Sequence, residues 1–253
     1  MSSLKTKINN NELTIGSWIT FADTSVAEIM ARAGYDWLTI DMEHSAITIR
    51  EAQQLIQVID LCGVVPLVRV EENDACAIKR VMDAGAHGGI VPMVNSREEA
   101  VAAVSAVKYP PHGNRPVGLS RAQGYGVTFD QYKEWVRKES IVIIQIEHID
   151  AVENLEEILT VEGVDGFFVG PYDLSASLGK PGDLDCPQMK SALARIVDVS
   201  SRIQKTSGFH VVTPRPELVQ GKIDEGYRFI AYSVDFLLLG DKCRDGLKSI
   251  KES

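Results

Sequence analysis

The sequence has few cysteines, no concentrated positive charge and no long apolar run, and each shortage removes a class of protein. Four cysteines among 253 residues, Cys62, Cys76, Cys186 and Cys243, are widely spread with no C-x-x-C pair. Reduced thiols are therefore expected rather than a disulfide framework or a zinc site. Lys and Arg number 26 against 35 Asp and Glu, a formal net charge of −9, and the cations are scattered. That balance speaks against nucleic acid or an anionic membrane surface as a partner. Residues 1–10 contain no apolar signal core, and no apolar run approaches the ~18 residues of a membrane span, so a cytosolic protein is expected. No G-x-G-x-x-G turn follows the first apolar segment, which leaves an open dinucleotide-binding sheet without its fingerprint.

What is present is alternation. With 45% hydrophobic residues the chain can bury a full core, and its length suits one (β/α)8 barrel, although two small domains would also fit. Short apolar runs at 13–21, 37–40, 64–70, 89–94, 141–147, 167–169, 208–212 and 228–234 read as strands. Between them, helical patterns cover about 24–33, 49–61, 75–84, 96–107, 129–138, 152–159, 187–205 and 216–225, with a further helix at the end. Strands apolar on both faces argue a parallel sheet, and eight β-α units argue closure. The expectation is an α/β protein, a single (β/α)8 TIM barrel over 1–253. The rhythm breaks at about 108–128, where Tyr109-Pro110-Pro111-His112-Gly113-Asn114-Arg115-Pro116 and Gln123-Gly124-Tyr125-Gly126 form a connection too long to be ordinary. Its rigid apolar residues suit a subunit contact, and a lid over the chain's own site is the competing use.

A barrel carries its active site at the C-terminal strand ends. There the sequence sets Asp41 and His44 after strand two, Arg69 at strand three, Gln145 and Glu147 at strand five, and Asp173 beyond Gly170-Pro171 after strand six. No comparable polar cluster marks the strand beginnings. Glu147 and Asp173 would be two hard oxygen donors at the same ends of neighbouring strands, which suggests a divalent metal. The run Val68-Arg69-Val70 implies an inward Arg69, and Gln145 should share the face of Glu147 because strand side chains alternate. The segment from Gly170 to Gly179 reads as a loop rich in small residues.

The fragments Asp41-Met42-Glu43-His44, Pro66-Leu67-Val68-Arg69, Val91-Pro92-Met93-Val94, Tyr109-Pro110-Pro111, Gln145-Ile146-Glu147 and Val169-Gly170-Pro171-Tyr172-Asp173-Leu174-Ser175, in this order, resemble the HpcH/HpaI aldolase family. That resemblance, over about residues 10–245, implies metal-dependent pyruvate aldolases, closer to those of 2-keto-3-deoxy sugar acids and 4-hydroxy-2-oxo acids than to CoA-ester lyases. By the match, Glu147 and Asp173 hold Mg²⁺, Mn²⁺ or Co²⁺, and Arg69 anchors substrate and stabilises developing charge. His44 is the base, oriented by Asp41; Gln145 and the backbone amides of Tyr172 and Asp173 meet the 2-oxo acid. Asp83 matches an aspartate contributed across a subunit contact, though late in a helix it also reads as an exposed carboxylate. The resemblance further implies a homo-oligomer, a hexamer by first choice, acting on a small 2-oxo acid and an aldehyde.

Three positions depart from the family's pattern: Pro116 follows Gly113-Asn114-Arg115, His148 follows Glu147, and Ser233 stands where glycine is frequent. They leave the pyruvate half of the site intact and bear on the aldehyde half. Three other readings of the same residues stay open, namely an oxaloacetate decarboxylase or similar enolate-forming lyase, a CoA-ester lyase, and a catalytically silent binding barrel.

Overall fold

Eight apolar segments form strands in the computed structural model, which describes residues 2–252. They are β1 (Thr14–Ile19), β2 (Trp37–Asp41), β3 (Val65–Arg69), β4 (Gly88–Val91), β5 (Ile141–Ile146), β6 (Gly166–Val169), β7 (Thr206–Val211) and β8 (Phe229–Val234). Each pairs in parallel with its neighbour in sequence, and β1 also pairs with β8, so the sheet closes as expected into a TIM barrel. Side chains alternate across the sheet. Trp18, Trp37, Leu67, Ile90, Ile141, Ile143, Phe168 and Phe229 fill the interior, while Leu38, Ile40, Val68, Val142, Ile144, Ile146 and Phe167 face the outer helices. Trp37 stacks on Phe229 with ring centroids 4.1 Å apart. Gly16 makes room for that pair, since a Cβ there would come within 2.0 Å of the Trp37 ring.

The outer layer comprises α1 (Leu4–Asn9), α2 (Thr24–Ala31), α3 (Ile49–Leu61), α4 (Ala75–Ala84), α5 (Arg97–Val107) and α6 (Phe129–Glu139). It continues with α7 (Ile149–Glu153), α8 (Leu155–Leu159), α9 (Pro171–Ser177), α10 (Pro187–Ile203), α11 (Pro216–Asp224) and α12 (Asp235–Lys251). Local chemistry sets many of these edges. Thr48 with Glu51 and Ser96 with Glu99 form capping boxes that start α3 and α5, and Gly85 ends α4 in the left-handed region at φ 109°. Along α3 the buried residues Ala52, Leu55, Ile56 and Ile59 recur at helical spacing and cover the sheet.

Three elements differ from the sequence expectation. The helix expected over 152–159 is two short ones meeting at Asn154. The segment after Gly170 is helical, because Pro171 sits at the first helical position where its missing N–H costs nothing. α1 was not expected at all; it buries only Leu4 and Ile8, too few apolar positions to show a period. It also brings a polar layer to the strand beginnings, where none was expected. Lys5 Nζ donates to the Ser140 carbonyl at 2.9 Å and pairs with Asp165, and Lys7 Nζ meets Asp36 at 2.6 Å. Asp36 and Asp165 in turn accept from the backbone N–H of Ile15 and Val142 at 2.9 and 2.8 Å. These charges tie α1 to the end of the barrel away from the site.

The 108–128 connection is anchored at that same end. Arg121 donates to the Ala84 carbonyl at 3.1 Å and the Ala122 N–H to the Asp83 carbonyl at 3.1 Å, both at the C-terminal end of α4. Arg115 is fully buried, donates to Asp83 Oδ1 at 2.6 Å and lies over the Tyr109 ring at 4.7 Å. None of its residues lines the cavity at the barrel mouth.

Candidate active site

Inward-facing residues at the strand ends form a cavity of about 300 Å³, lined by Trp18, Thr20, Asp41, His44, Arg69, Gln145, Phe168, Gly170, Pro171, Tyr172, Asp173, His210, Val212, Val234 and Phe236. Register explains the first pair. Asp41 and Arg69 stand opposite each other across β2 and β3, and Arg69 donates from Nε at 2.9 Å and Nη2 at 2.6 Å to the two Asp41 oxygens. This fork fixes the guanidinium. Its third nitrogen, Nη1, lies 3.1 Å from Glu43 Oε2, and its face packs over Trp18 at 4.5 Å. Burial alone would lower the Arg69 pKa, but the bond to Asp41 and the charges of Asp41, Glu43 and Glu147 outweigh it and raise the value.

Asp41 has a second task. Its Oδ1 also accepts from the backbone N–H of Glu43 at 3.1 Å and of His44 at 3.2 Å, which shapes the turn after β2. Asp41 thus holds the backbone of His44, while the resemblance implies a role toward its imidazole; here the carboxylate is taken up by Arg69. The imidazole is exposed, and its nearest charged neighbour is Glu43, with Nε2 3.7 Å from Oε2.

Glu147 is buried at 2% exposure, just behind Gln145 and Gly170. Its Oε1 accepts from the Met93 N–H at 2.7 Å, and its Oε2 from Gln145 Nε2. Met93 presents that amide from a left-handed backbone, φ 51°. A Cβ on Gly170 would lie 3.0 Å from Glu147 Oε2, so glycine is what lets the carboxylate sit there. Burial raises the Glu147 pKa and the Asp173 charge adds to it, against the two hydrogen bonds. Asp173 and Tyr172 are exposed in the first turn of α9, whose leading N–H groups have no helical acceptor.

Of the sequence-predicted residues, Asp41, His44, Arg69, Gln145, Tyr172 and Asp173 line the cavity, with Glu147 directly behind. Asp83 is elsewhere. It ends α4 and takes hydrogen bonds from Arg115 and, at 3.1 Å, from Gln123, so within one chain it does not meet His44. His148 caps α7, its Nδ1 accepting from the Asp150 N–H at 3.2 Å, and does not line the cavity. Pro116 is exposed in the long connection. Ser233 has φ 57°, which explains why glycine suits that position.

Sequence reasoning missed Trp18, Glu43 and His210. Trp18 and His210 were legible only as parity, each at an inward position of a strand. Glu43 lies inside the Asp41-Met42-Glu43-His44 motif, where strand parity does not reach it. Burial, and then the nearby Glu147, Asp41 and Asp173 charges, push its pKa up to about 7 although Arg69 opposes this.

The donor set suits a divalent cation. Four carboxylates, Asp41, Glu43, Glu147 and Asp173, interact here around one guanidinium, and buried Gln145 Oε1 has no hydrogen-bond partner. Among the described residues no group of three or more His, Cys, Asp or Glu is placed to hold an ion.

The family model for HpcH/HpaI aldolase/citrate lyase matches residues 14–241. The chain belongs to this family. It is 38% identical over 253 residues to the 2-keto-3-deoxy-L-rhamnonate aldolase of Escherichia coli O9:H4 (strain HS), covering 98% of this chain and 92% of that one. Against the hydroxypyruvate/pyruvate aldolase of Sagittula stellata it is 39% identical, with 93% and 92% covered. The crystal structure of an HpcH/HpaI aldolase/citrate lyase family protein from Burkholderia cenocepacia J2315 superposes with a TM-score of 0.94 at 32% identity, over 99% of this chain and all of that one. This member of the family is an aldolase, a carbon–carbon lyase.

Proposed function

We propose that the enzyme reversibly cleaves a 4-hydroxy-2-oxo acid of the 2-keto-3-deoxy sugar acid type into pyruvate and an aldehyde, with a divalent ion held by Glu147 and Asp173. The observation that carries this reading is the cavity itself, in which the Asp41-braced Arg69, Gln145 and Asp173 converge beside apolar Trp18 and Phe168. When bound, such an ion supplies positive charge to the C2 oxygen, where the electron pair of the breaking C3–C4 bond collects. Arg69 serves the same charge through Nη1, the nitrogen that Asp41 does not take and that otherwise faces Glu43 Oε2. The N–H groups of Tyr172 and Asp173 hold the pyruvyl carboxylate, and Gln145 holds Glu147 in place. His44 takes the proton from the C4 hydroxyl, the aldehyde departs, and C3 of the pyruvyl unit regains a proton.

An assembly belongs to the same reading. Val117, Leu119, Tyr125 and Val127 of the long connection are exposed, as are Leu239 and Leu247 of α12, and this apolar surface suits copies of the chain packed as a homo-oligomer, a hexamer by first choice. In it Asp83 of one copy reaches toward His44 of another. The reading is tested by assaying 4-hydroxy-2-oxo acids, oxaloacetate and CoA thioesters with and without EDTA. Metal-dependent release of pyruvate from the first class alone is expected. Turnover confined to oxaloacetate or thioesters would replace this substrate assignment.

A further inference from the structure

His210 occupies an inward position of β7, between Trp18 and Phe168, with ring centroids at 5.6 and 6.4 Å. It lines the cavity. Its Nε2 is 3.2 Å from the carbonyl oxygen of Ser233. A carbonyl only accepts, so Nε2 carries the proton and Nδ1 keeps its lone pair. The carbonyl is itself fixed, since Ser233 is held in the left-handed region at φ 57° beside Ser17, whose one O–H donates to the Tyr232 carbonyl at 2.8 Å and reaches that of Ser233 at 3.2 Å. Burial lowers the His210 pKa to about 4, with the Arg69 charge adding to the effect against the Ser233 bond, so the ring is neutral in ordinary buffer. Among the described residues nothing donates to Nδ1.

The cavity is thereby divided by chemistry. Arg69, Asp173 and the first turn of α9 come from β3 and the segment after β6, and offer charge and N–H donors. The wall made by Trp18, Thr20, His210, Val212, Val234 and Phe236 is uncharged: the Thr20 hydroxyl is spent on Asp235 at 2.6 Å, Trp18 Nε1 is a buried donor without a partner, and His210 Nδ1 is the open acceptor. A pyruvyl carboxylate needs donors and finds none at Nδ1. A hydroxyl group is the complementary partner. Resting on the aldolase reading above, we propose that His210 is a specificity-determining residue for the aldehyde half, its Nδ1 accepting a hydrogen bond from a hydroxyl of that half, so that hydroxylated aldehydes are preferred to alkyl ones.

The test compares kcat/KM for aldol addition of pyruvate to 2-hydroxypropanal and to propanal, which differ by one hydroxyl. The ratio between the two within one variant is unaffected by a general loss of activity or folding. The wild-type enzyme should favour the hydroxyaldehyde by about tenfold, the worth of one hydrogen bond. In His210→Leu the ratio should fall toward unity through KM for the hydroxyaldehyde, and His210→Asn, which returns an acceptor near the Nδ1 position, should recover part of it. An unchanged ratio in His210→Leu, or no preference in the wild type, overturns the proposal. Exchange of pyruvate methyl protons, measured alongside, separates this outcome from failure of the aldolase reading, which would abolish exchange in the wild type. Nitrogen-15 NMR of ring-labelled protein gives a check that needs no turnover: a pyridine-type Nδ1 and a protonated Nε2 at neutral pH are expected, and a charged ring or the opposite tautomer overturns the assignment.

Discussion

At the scale of single residues, the site is a balance of buried charge, and single substitutions probe different parts of it. Glu147→Gln and Asp173→Asn each remove a charge without removing volume, and each should abolish pyruvate formation and weaken Mn²⁺ binding while leaving circular dichroism unchanged. Unchanged ion affinity in both variants would dismiss them as ligands. Arg69→Ala should lose about a hundredfold or more in kcat/KM and also weaken pyruvate binding, because it removes a donor aimed at developing charge. His44→Ala should slow aldol cleavage more than exchange of pyruvate methyl protons, and equal losses in the two assays would show that His44 acts elsewhere. Glu43 adds a pH dependence. Its carboxyl, 15% exposed, holds its proton up to about pH 7 in the fold but releases it near the ordinary value when unfolded. Between those points the folded state binds more protons, so this residue makes stability fall as pH rises through the window, by about 3 kcal/mol at most. Glu43→Gln should therefore raise the Tm of the metal-free protein at pH 8 and leave it nearly unchanged at pH 5, as thermal scans at the two values would report.

At the scale of elements, the sequence was legible where one local cause sets the outcome. Capping boxes and the left-handed Gly85 place α3, α4 and α5, and unbroken apolar runs place the strands. Legibility ended where the cause is a contact with something distant in the chain. α1 exists because Leu4 and Ile8 find the open end of the barrel, and α9 because Pro171 begins a turn that the small residues alone did not reveal. Within the site, strand parity gave Arg69 and Gln145 an inward direction, but only closure of the barrel brings Trp18 of β1 against Arg69 of β3 and His210 of β7. The long connection is the element most dependent on one side chain. Arg115, fully buried, holds Asp83 of α4 and donates to Tyr132 Oη of α6 at 3.1 Å. Arg115→Met should destabilise the protein by about 3 kcal/mol, because it leaves a partly buried carboxylate without its cation. Urea unfolding measures this, with faster proteolysis within 108–128 expected beside it.

At the scale of the whole molecule, Asp83 is the residue whose expected role reaches beyond one chain, toward a neighbour's His44. In one chain it ends α4, at the barrel end opposite His44, and braces the long connection. That connection presents Val117, Leu119, Tyr125 and Val127 to the exterior, and in the proposed assembly Asp83 would approach a neighbour's His44 across this surface. Two roles for Asp83 can be separated. Asp83→Asn keeps an oxygen to accept from Arg115 but removes the charge, so if the aspartate acts only by bracing its own loop, activity should survive. If it serves a neighbour's histidine, Asp83→Asn should be nearly inactive even where circular dichroism shows it folded. Mixing it with inactive His44→Ala subunits should then restore part of the activity, since a mixed contact joins an intact Asp83 from one chain to an intact His44 from the other. Restoration should also fade on dilution, in step with dissociation followed by light scattering. A fully active monomer, or no gain on mixing under conditions where subunits demonstrably exchange, would leave Asp83 as a brace alone.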